Sequence, residues 1–182
     1  MKNVAIITGG DSAEYDISLL SADTVLKNLD RNKFNPYLIE IKNGIWKIKI
    51  DGQFYEISND LFIKVKEIEM KFDHVFMALH GPPAENGLIQ NYFDKINIPY
   101  TSCNASISAI TFNKYKCNDK LKKYGFMTAN SILINSYNNK VKQNIEKNLK
   151  LPCFVKPNQC GSSYGISKVN NKNEFNKAIQ IA

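Results

Sequence analysis

The 182-residue chain has little arginine, little histidine and no long hydrophobic run. Arg31 is the single arginine among 24 basic residues, and the lysines are spread along the chain. Proteins that bind nucleic acids usually depend on arginine forks and a clustered basic face. We therefore interpret the net charge of +7 as a solvated, lysine-rich surface, and we expect no nucleic-acid partner.

The four cysteines contain no C-x-x-C pair, and only two histidines accompany them. This composition makes a structural zinc site improbable and favours reduced thiols over disulfides. No apolar run reaches the ~18 residues of a membrane-spanning helix. The apolar part of the amino terminus is too short for a secretory signal. We expect a cytoplasmic protein with no membrane partner.

The first half of the chain has the pattern of an α/β domain. Residues 3–8 form a β-branched run that ends at a glycine pair, which is typical of a buried parallel strand. Apolar residues at helical spacing follow over 17–29, and 36–41 read as a second strand, so a βαβ unit is predicted. Alternation around Asp51-Gly52 predicts a hairpin.

The pattern of strands and helices continues beyond the hairpin, and its character changes after Gly125. Another buried strand is predicted at 73–79, and helices are predicted at 88–96, 106–112 and 114–124. Beyond these, strands are predicted at 131–134, 153–156 and 164–169, with helices at 141–149 and after Asn171. The sequence therefore predicts one domain over 1–111 and a second over 112–182.

Two strand-to-helix loops lie where α/β proteins usually bind ligands. In the first, a glycine pair precedes Glu14, whose carboxylate could pair with an ammonium group or another cation. Ser12 and Asp16 could instead cap the following helix, with Glu14 favouring its positive end. The second loop begins at His80, which could bind a substrate carboxylate or be purely structural. Both interpretations stay open for each loop.

A third candidate lies in the second half, where a lysine is followed by a glycine–serine loop. Lys156 and the loop containing Ser162 and Ser163 could offer an ammonium charge and backbone N–H groups to phosphates. The pattern is not a Walker motif, and a plain hairpin loop is the alternative. Lys114 is similar, since a lysine near a domain junction is usually only solvated.

Taken in order, these segments resemble D-alanine–D-alanine ligase, a family of the ATP-grasp superfamily. The blocks that carry the resemblance extend over essentially the whole chain. They are 9–14 with 17–22, 80–90, 98–101, 112–114, 151–157 and 161–169. The resemblance implies a Rossmann-like (pre-ATP-grasp) parallel-sheet domain, followed by an incomplete α+β ATP-grasp subdomain.

The resemblance also implies a reaction. ATP phosphorylates the carboxylate of one D-alanine, and the amine of a second attacks the acyl phosphate, which supplies D-alanyl-D-alanine for peptidoglycan synthesis. Magnesium (or manganese) would accompany ATP, and a homodimer through the amino-terminal domain is implied. Since the protein contributes little covalent chemistry, positioning and charge stabilisation dominate.

The resemblance further assigns roles to individual residues. Glu14 would bind the ammonium of the first D-alanine beside Ile17, and His80 would lie near its carboxylate. Ser162 would join a hydrogen-bond network with Glu14. The side chains implied to contact ATP phosphates, or to close over them, are Lys114, Lys156, Ser162 and Ser163.

Two departures from the family pattern qualify the resemblance. The loop that usually reads HGxxGEDG has Ala84 and Asn86 at two positions, although Glu85 and Gly87 match. The family also continues well beyond Ala182, where its metal ligands and transition-state arginine are expected. We therefore expect an incomplete and inactive chain. The alternatives are a non-catalytic D-alanine-binding module and a related ligase that uses D-lactate or D-serine as second substrate.

Overall fold

A computed structural model describes residues 1–57, 63–65 and 68–182. The described residues form two compact units, Met1–Ala109 and Ile110–Ala182. The predicted boundary after residue 111 lies close to this division. The substrate-binding and ATP-grasp roles given to the two domains stay predictions.

The first unit is built on a five-stranded sheet. Its elements in chain order are β1 (Lys2–Gly9), α1 (Tyr15–Asn28), β2 (Phe34–Lys42), β3 (Ile45–Ile50), β4 (Gln53–Glu56), β5 (Ile63–Val65), β6 (Ile68–Met70), β7 (His74–Met77) and α2 (Leu88–Lys95). The strand order is β4-β3-β2-β1-β7. β1 runs parallel to both β2 and β7, whereas β3 and β4 continue antiparallel from β2. The sheet is therefore mixed: β2, β1 and β7 form the predicted parallel part, and β3 and β4 form an antiparallel extension.

β1 lies between β2 and β7, and its side chains are buried on both faces of the sheet. Ile7 packs in one cluster with Ile39 and Val75, and α2 covers this cluster through Phe93. Ile6 packs in a second cluster, together with Ala22 of α1. Burial on both faces explains why this strand reads as a continuous β-branched run.

The predicted hairpin is present between β3 and β4. Asp51 and Gly52 form its two-residue turn, with φ angles of 49° and 82°. Both central residues of a type I′ turn require positive φ, which aspartate tolerates and glycine favours. A shorter antiparallel pair, β5 with β6, follows in the chain.

The remaining helices are α3 (Ala105–Phe112), α4 (Lys114–Lys123), α5 (Asn139–Asn148) and α6 (Phe175–Ile181). In the second unit, β8 (Cys153–Val155) pairs antiparallel with β9 (Ser167–Val169). The core of this unit contains Ile145, Val169 and Phe175. No helix among the described residues combines the length and apolar character needed to cross a bilayer.

Two strand predictions in the second half need correction. Residues 131–134 are irregular, although Ile132 and Ile134 pack against the core of the second unit. Their alternation reflects this packing rather than strand pairing. β9 begins at Ser167 instead of 164, because residues 162–165 form a turn.

Candidate active site

The carboxyl ends of β1 and β7 bring the first two candidate loops together. The two strands pair in parallel, and the N–H of Ala78, just past β7, donates to the Ile7 carbonyl at 3.0 Å. On the other side of β1, the N–H of Gly10 donates to the Ile41 carbonyl at 2.7 Å. The loop after β1 is therefore held against β2, and the loop after β7 follows at the same sheet edge.

Glu14 is buried immediately before α1, with 7% of its surface exposed. Its N–H donates to Ser12 Oγ at 3.1 Å. Its carbonyl accepts from the N–H and the hydroxyl of Ser18, at 3.0 and 3.1 Å. Ser12 thus satisfies a backbone donor at the helix start, and the positive end of the helix favours the Glu14 charge. The predicted capping role of Asp16 is wrong, because Asp16 lies within the first turn of α1. The hydrogen bond from Glu14 to Ser12 is compatible with a binding role for the Glu14 carboxylate.

Gly81 brings the second loop into contact with the first. Its φ is +71°, and a Cβ at this position would lie 2.5 Å from Ser12 Oγ and 2.9 Å from Glu14 Oε2. The absence of a side chain therefore lets the His80 loop reach the buried carboxylate. Both the positive φ and the close approach to Ser12 and Glu14 favour glycine here.

His80 is half-buried and is bonded to α1 through two serines. Its N–H donates to Ser18 Oγ at 2.9 Å, and its Nε2 lies 2.8 Å from Ser21 Oγ. Ser18 is fully buried. Neither serine was singled out by sequence reasoning, although their three-residue spacing on a predicted helix is a signal that could have indicated them.

Tyr15 forms a second contact that the sequence did not indicate. Its hydroxyl donates to Glu40 Oε1 of β2 at 2.5 Å, and Lys42 Nζ lies 4.3 Å from its ring centroid. The hydrogen bond to Glu40, together with burial and the neighbouring negative charges, raises the pKa of Tyr15 to about 12. These contacts fix the first residue of α1 against the sheet, next to Glu14.

The departures from the family loop are accommodated locally. Ala84 is buried, and its carbonyl accepts from Gln90 Nε2 at 2.6 Å. Asn86 Oδ1 accepts from the N–H of Leu88 at the start of α2, at 3.2 Å. Ile17, the predicted neighbour of the substrate methyl group, lies on α1 with half its surface exposed.

In the second unit, Lys114 is tied to the segment that precedes the glycine–serine loop. Its half-buried side chain donates from Nζ to the Cys160 carbonyl at 2.6 Å. Its N–H donates to the Asn158 carbonyl at 3.1 Å, and Tyr115 N–H donates to Asn158 Oδ1 at 3.0 Å. Lys114 therefore has a defined partner, unlike a merely solvated lysine.

Lys156 follows β8 and is exposed. Within the described part of the chain its ammonium group makes no hydrogen bond or ion pair. Ser162 and Ser163 are exposed and adopt consecutive left-handed conformations, with φ of 45° and 60°. Non-glycine residues pay roughly 1–3 kcal/mol for such a conformation, and it concentrates at functional sites.

The described residues do not fit a magnesium site. Among residues 1–57, 63–65 and 68–182, no group of three or more His, Cys, Asp or Glu side chains could hold a metal ion. The four cysteines are all free thiols. Burial raises the pKa of the Cys153 thiol, which disfavours its metal-binding thiolate form.

Two family models match the chain. One, described as the D-ala D-ala ligase N-terminus, matches residues 3–103, and one described as the D-ala D-ala ligase C-terminus matches 119–182. A D-alanine–D-alanine ligase from Flavobacterium johnsoniae is 45% identical over 184 residues, which cover 100% of this chain and 57% of the relative. The resemblance seen in the sequence is confirmed.

Solved structures give the same result for the fold. D-alanyl-alanine synthetase A from Vibrio cholerae matches with a TM-score of 0.85 at 25% identity, covering 99% of this chain and 56% of that one. The VanG D-Ala:D-Ser ligase from Enterococcus faecalis matches with a TM-score of 0.84 at 29% identity, covering 100% and 59%. These matches confirm the predicted fold class. The chain spans less than two thirds of the length of these relatives.

Proposed function

Because this chain belongs to the D-alanine–D-alanine ligase family, we propose that it carries the substrate-binding part of an enzyme that joins two D-alanines with the consumption of ATP. The product would serve peptidoglycan synthesis. The carboxylate of the first D-alanine would become an acyl phosphate, with ATP supplying the phosphoryl group. The amine of the second D-alanine would then form the new peptide bond and release phosphate.

The observation that carries this proposal is the buried Glu14 carboxylate, which lies against Gly81 in the loop that starts at His80. An amino acid presents an ammonium and a carboxylate on one carbon atom. Glu14 would bind the ammonium, and the His80 imidazole would donate to the carboxylate. The burial of Glu14, and the close approach of the Gly81 backbone to its carboxylate, favour a small, charged ligand over a bulky one.

The phosphates of ATP would be bound in the second unit. Lys156 offers an exposed ammonium group, and Lys114 Nζ keeps N–H donors beyond the one that Cys160 accepts. The left-handed backbone at Ser162 and Ser163 is the kind of conformation in which successive N–H groups form an anion-binding concavity.

Binding of D-alanine to this chain tests the amino-acid site. We expect Glu14→Gln to weaken binding at least tenfold, since a buried charge-assisted contact contributes about 1.5–3 kcal/mol. Asp16→Asn is the matched control, because it removes the same charge from the first turn of α1 at an exposed position. Isothermal titration of both variants measures the effect. Equal affinities of the two variants would contradict the proposal.

D-alanine-dependent release of ADP separates the ligase from the non-catalytic alternative. A binding module would retain D-alanine binding and hydrolyse no ATP, even within a chain of the relatives' full length. The expectation that these 182 residues alone show no turnover stays a prediction, and the same assay checks it. Turnover that disappears in Glu14→Gln would overturn that expectation and support the ligase.

A D-serine-using ligase is the second candidate, and it rests on the 29% identity to the VanG D-Ala:D-Ser ligase. Both candidates place D-alanine first, so the Glu14 site does not distinguish them. Product analysis with D-alanine, D-serine and D-lactate as competing second substrates does. We propose D-alanine as the preferred second substrate, in line with the name of the Flavobacterium johnsoniae relative.

We also propose a cytoplasmic homodimer formed through the first unit. ATP and the precursors of cell-wall synthesis are cytoplasmic substrates, and the family resemblance implies the dimer. Sedimentation equilibrium of the chain is expected to give twice its mass of 20.7 kDa. A single-chain mass at every concentration measured would contradict the dimer and leave the activity proposal untouched.

A further inference from the structure

Two serines of α1 hold His80 through different atoms. Ser18 and Ser21 are three residues apart, so their side chains lie on one face of the helix. Ser18 Oγ accepts from the backbone N–H of His80 at 2.9 Å and donates to the Glu14 carbonyl at 3.1 Å. Ser21 Oγ lies 2.8 Å from Nε2 of the imidazole ring. Ser18 therefore fixes the backbone of His80, whereas the hydrogen bond of Ser21 is to its ring.

The contact at Nε2 determines what the other ring nitrogen can do. The Ser18 and Ser21 hydroxyls can each either donate or accept. If Ser21 donates to Nε2 of a neutral imidazole, the ring proton must lie on Nδ1. Nδ1–H is then a donor, as the carboxylate of an amino acid requires. The opposite tautomer would present a lone pair at Nδ1, which repels a carboxylate.

We propose that Ser21 is a positioning residue that sets the Nδ1–H tautomer and ring orientation of His80 for the carboxylate of the amino-acid substrate. This inference rests on the function proposed above, and it adds a residue to that site. Ser21 belongs to the same helix whose start carries Glu14. One rigid element thus sets the acceptor for the substrate ammonium and, through Ser21, the donor for its carboxylate.

The proposal is tested by ¹⁵N NMR of the histidine rings in the 182-residue chain. Only His74 and His80 are present, so both rings can be assigned, and His74, near Lys2 Nζ at 3.1 Å, serves as internal reference. Spectra are recorded at increasing pH until both rings show the ¹⁵N shifts of a neutral imidazole. Long-range ¹H–¹⁵N spectra then report which nitrogen carries the proton.

Three variants separate tautomer control from general damage to α1. Ser21→Ala removes the hydroxyl, and Ser21→Thr restores it at the same place. Thr24→Ala is the matched control, because the exposed Thr24 hydroxyl donates to the Leu20 carbonyl of the same helix at 3.0 Å. The His80 tautomer and the affinity for D-alanine are measured for all three variants.

We expect His80 to be protonated at Nδ1 in the unaltered chain, in Ser21→Thr and in Thr24→Ala. Ser21→Ala should shift the population toward Nε2–H and weaken D-alanine binding about tenfold. An Nε2–H tautomer in the unaltered chain, or no shift in Ser21→Ala, would overturn the inference. D-alanine that leaves the His80 signals unchanged, while Ser21→Ala still shifts the tautomer, would overturn the carboxylate role and the proposed function instead.

Discussion

Gly81→Ala is expected to destabilise the chain more than Gly44→Ala and to abolish most D-alanine binding. The two glycines have nearly the same φ, +71° and +74°, so both variants share the cost of a left-handed alanine. That cost is roughly 1–2 kcal/mol. They differ in space, because a Cβ at Gly44 meets nothing within 4 Å among the described residues. Gly44→Ala is therefore a matched control for backbone strain alone.

At Gly81 the added methyl group would lie 2.5 Å from Ser12 Oγ and 2.9 Å from Glu14 Oε2. Relief of these contacts requires movement of the buried carboxylate or of the loop, which we expect to cost about 1–3 kcal/mol more. Urea unfolding of the two variants measures the difference in free energy. We also expect D-alanine affinity to fall at least tenfold in Gly81→Ala and to be unchanged in Gly44→Ala.

The free energy of unfolding and the affinity for D-alanine can contradict the prediction independently of each other. Equal destabilisation by the two substitutions would mean that Ser12 and Glu14 yield without cost, and the close approach would not be a constraint. A strongly destabilised Gly81→Ala that still binds D-alanine normally would remove Glu14 from the binding site. The unfolding result therefore tests whether the close approach of Gly81 to Ser12 and Glu14 is a constraint. The affinity result tests whether Glu14 binds D-alanine at that place.

Local patterns in the sequence were enough to predict β1 and the hairpin between β3 and β4. A β-branched strand followed by a glycine pair, and a two-residue Asp51-Gly52 turn, are determined by short-range sterics. The 131–134 segment was misassigned because its alternating apolar residues pack on a core without a partner strand. Alternation reports which side chains are buried, and strand pairing depends on another part of the chain.

The candidate site likewise has residues that local sequence predicts and contacts that it does not predict. Glu14 and His80 follow strands that the sequence identifies, so their place at one sheet edge was predictable. The contact of Ser21 with His80 joins residues 59 positions apart and depends on how α1 packs on β1. The Tyr15–Glu40 hydrogen bond likewise requires the final position of β2. Such contacts have no local sequence signature.

Substitution of Lys114 is expected to have the second large effect, because its side chain makes two kinds of contact in the proposed ATP site. One N–H of its ammonium group bonds to the Cys160 carbonyl at 2.6 Å, next to the glycine–serine loop. The others remain for phosphate oxygens. Lys114→Met roughly keeps the length of the side chain and removes both the hydrogen bond to Cys160 and the phosphate contact. Lys156→Met removes only a charge, since Lys156 has no protein partner within the described residues.

We therefore expect Lys114→Met to weaken ATP binding about ten- to a hundredfold and to increase hydrogen exchange at residues 160–163. The affinity range corresponds to the loss of one charge-assisted hydrogen bond of about 1.5–3 kcal/mol. Lys156→Met should weaken ATP binding without changing exchange. Lys116→Met is the control, because Lys116 is exposed on the same helical turn. Titration calorimetry and exchange mass spectrometry supply the two measurements.

A change of salt concentration distinguishes the phosphate contact of Lys114 from its hydrogen bond to the Cys160 carbonyl. Attraction between an ammonium group and phosphates weakens as ionic strength rises, because the screening length falls from about 10 Å at 0.1 M to about 3 Å at 1 M. The bond to the Cys160 carbonyl is short and half-buried, so the exchange difference should persist at high salt. Equal ATP affinity of the Lys114 and Lys116 variants would exclude Lys114 from phosphate binding. An unchanged exchange rate at 160–163 would show that the loop does not depend on this lysine.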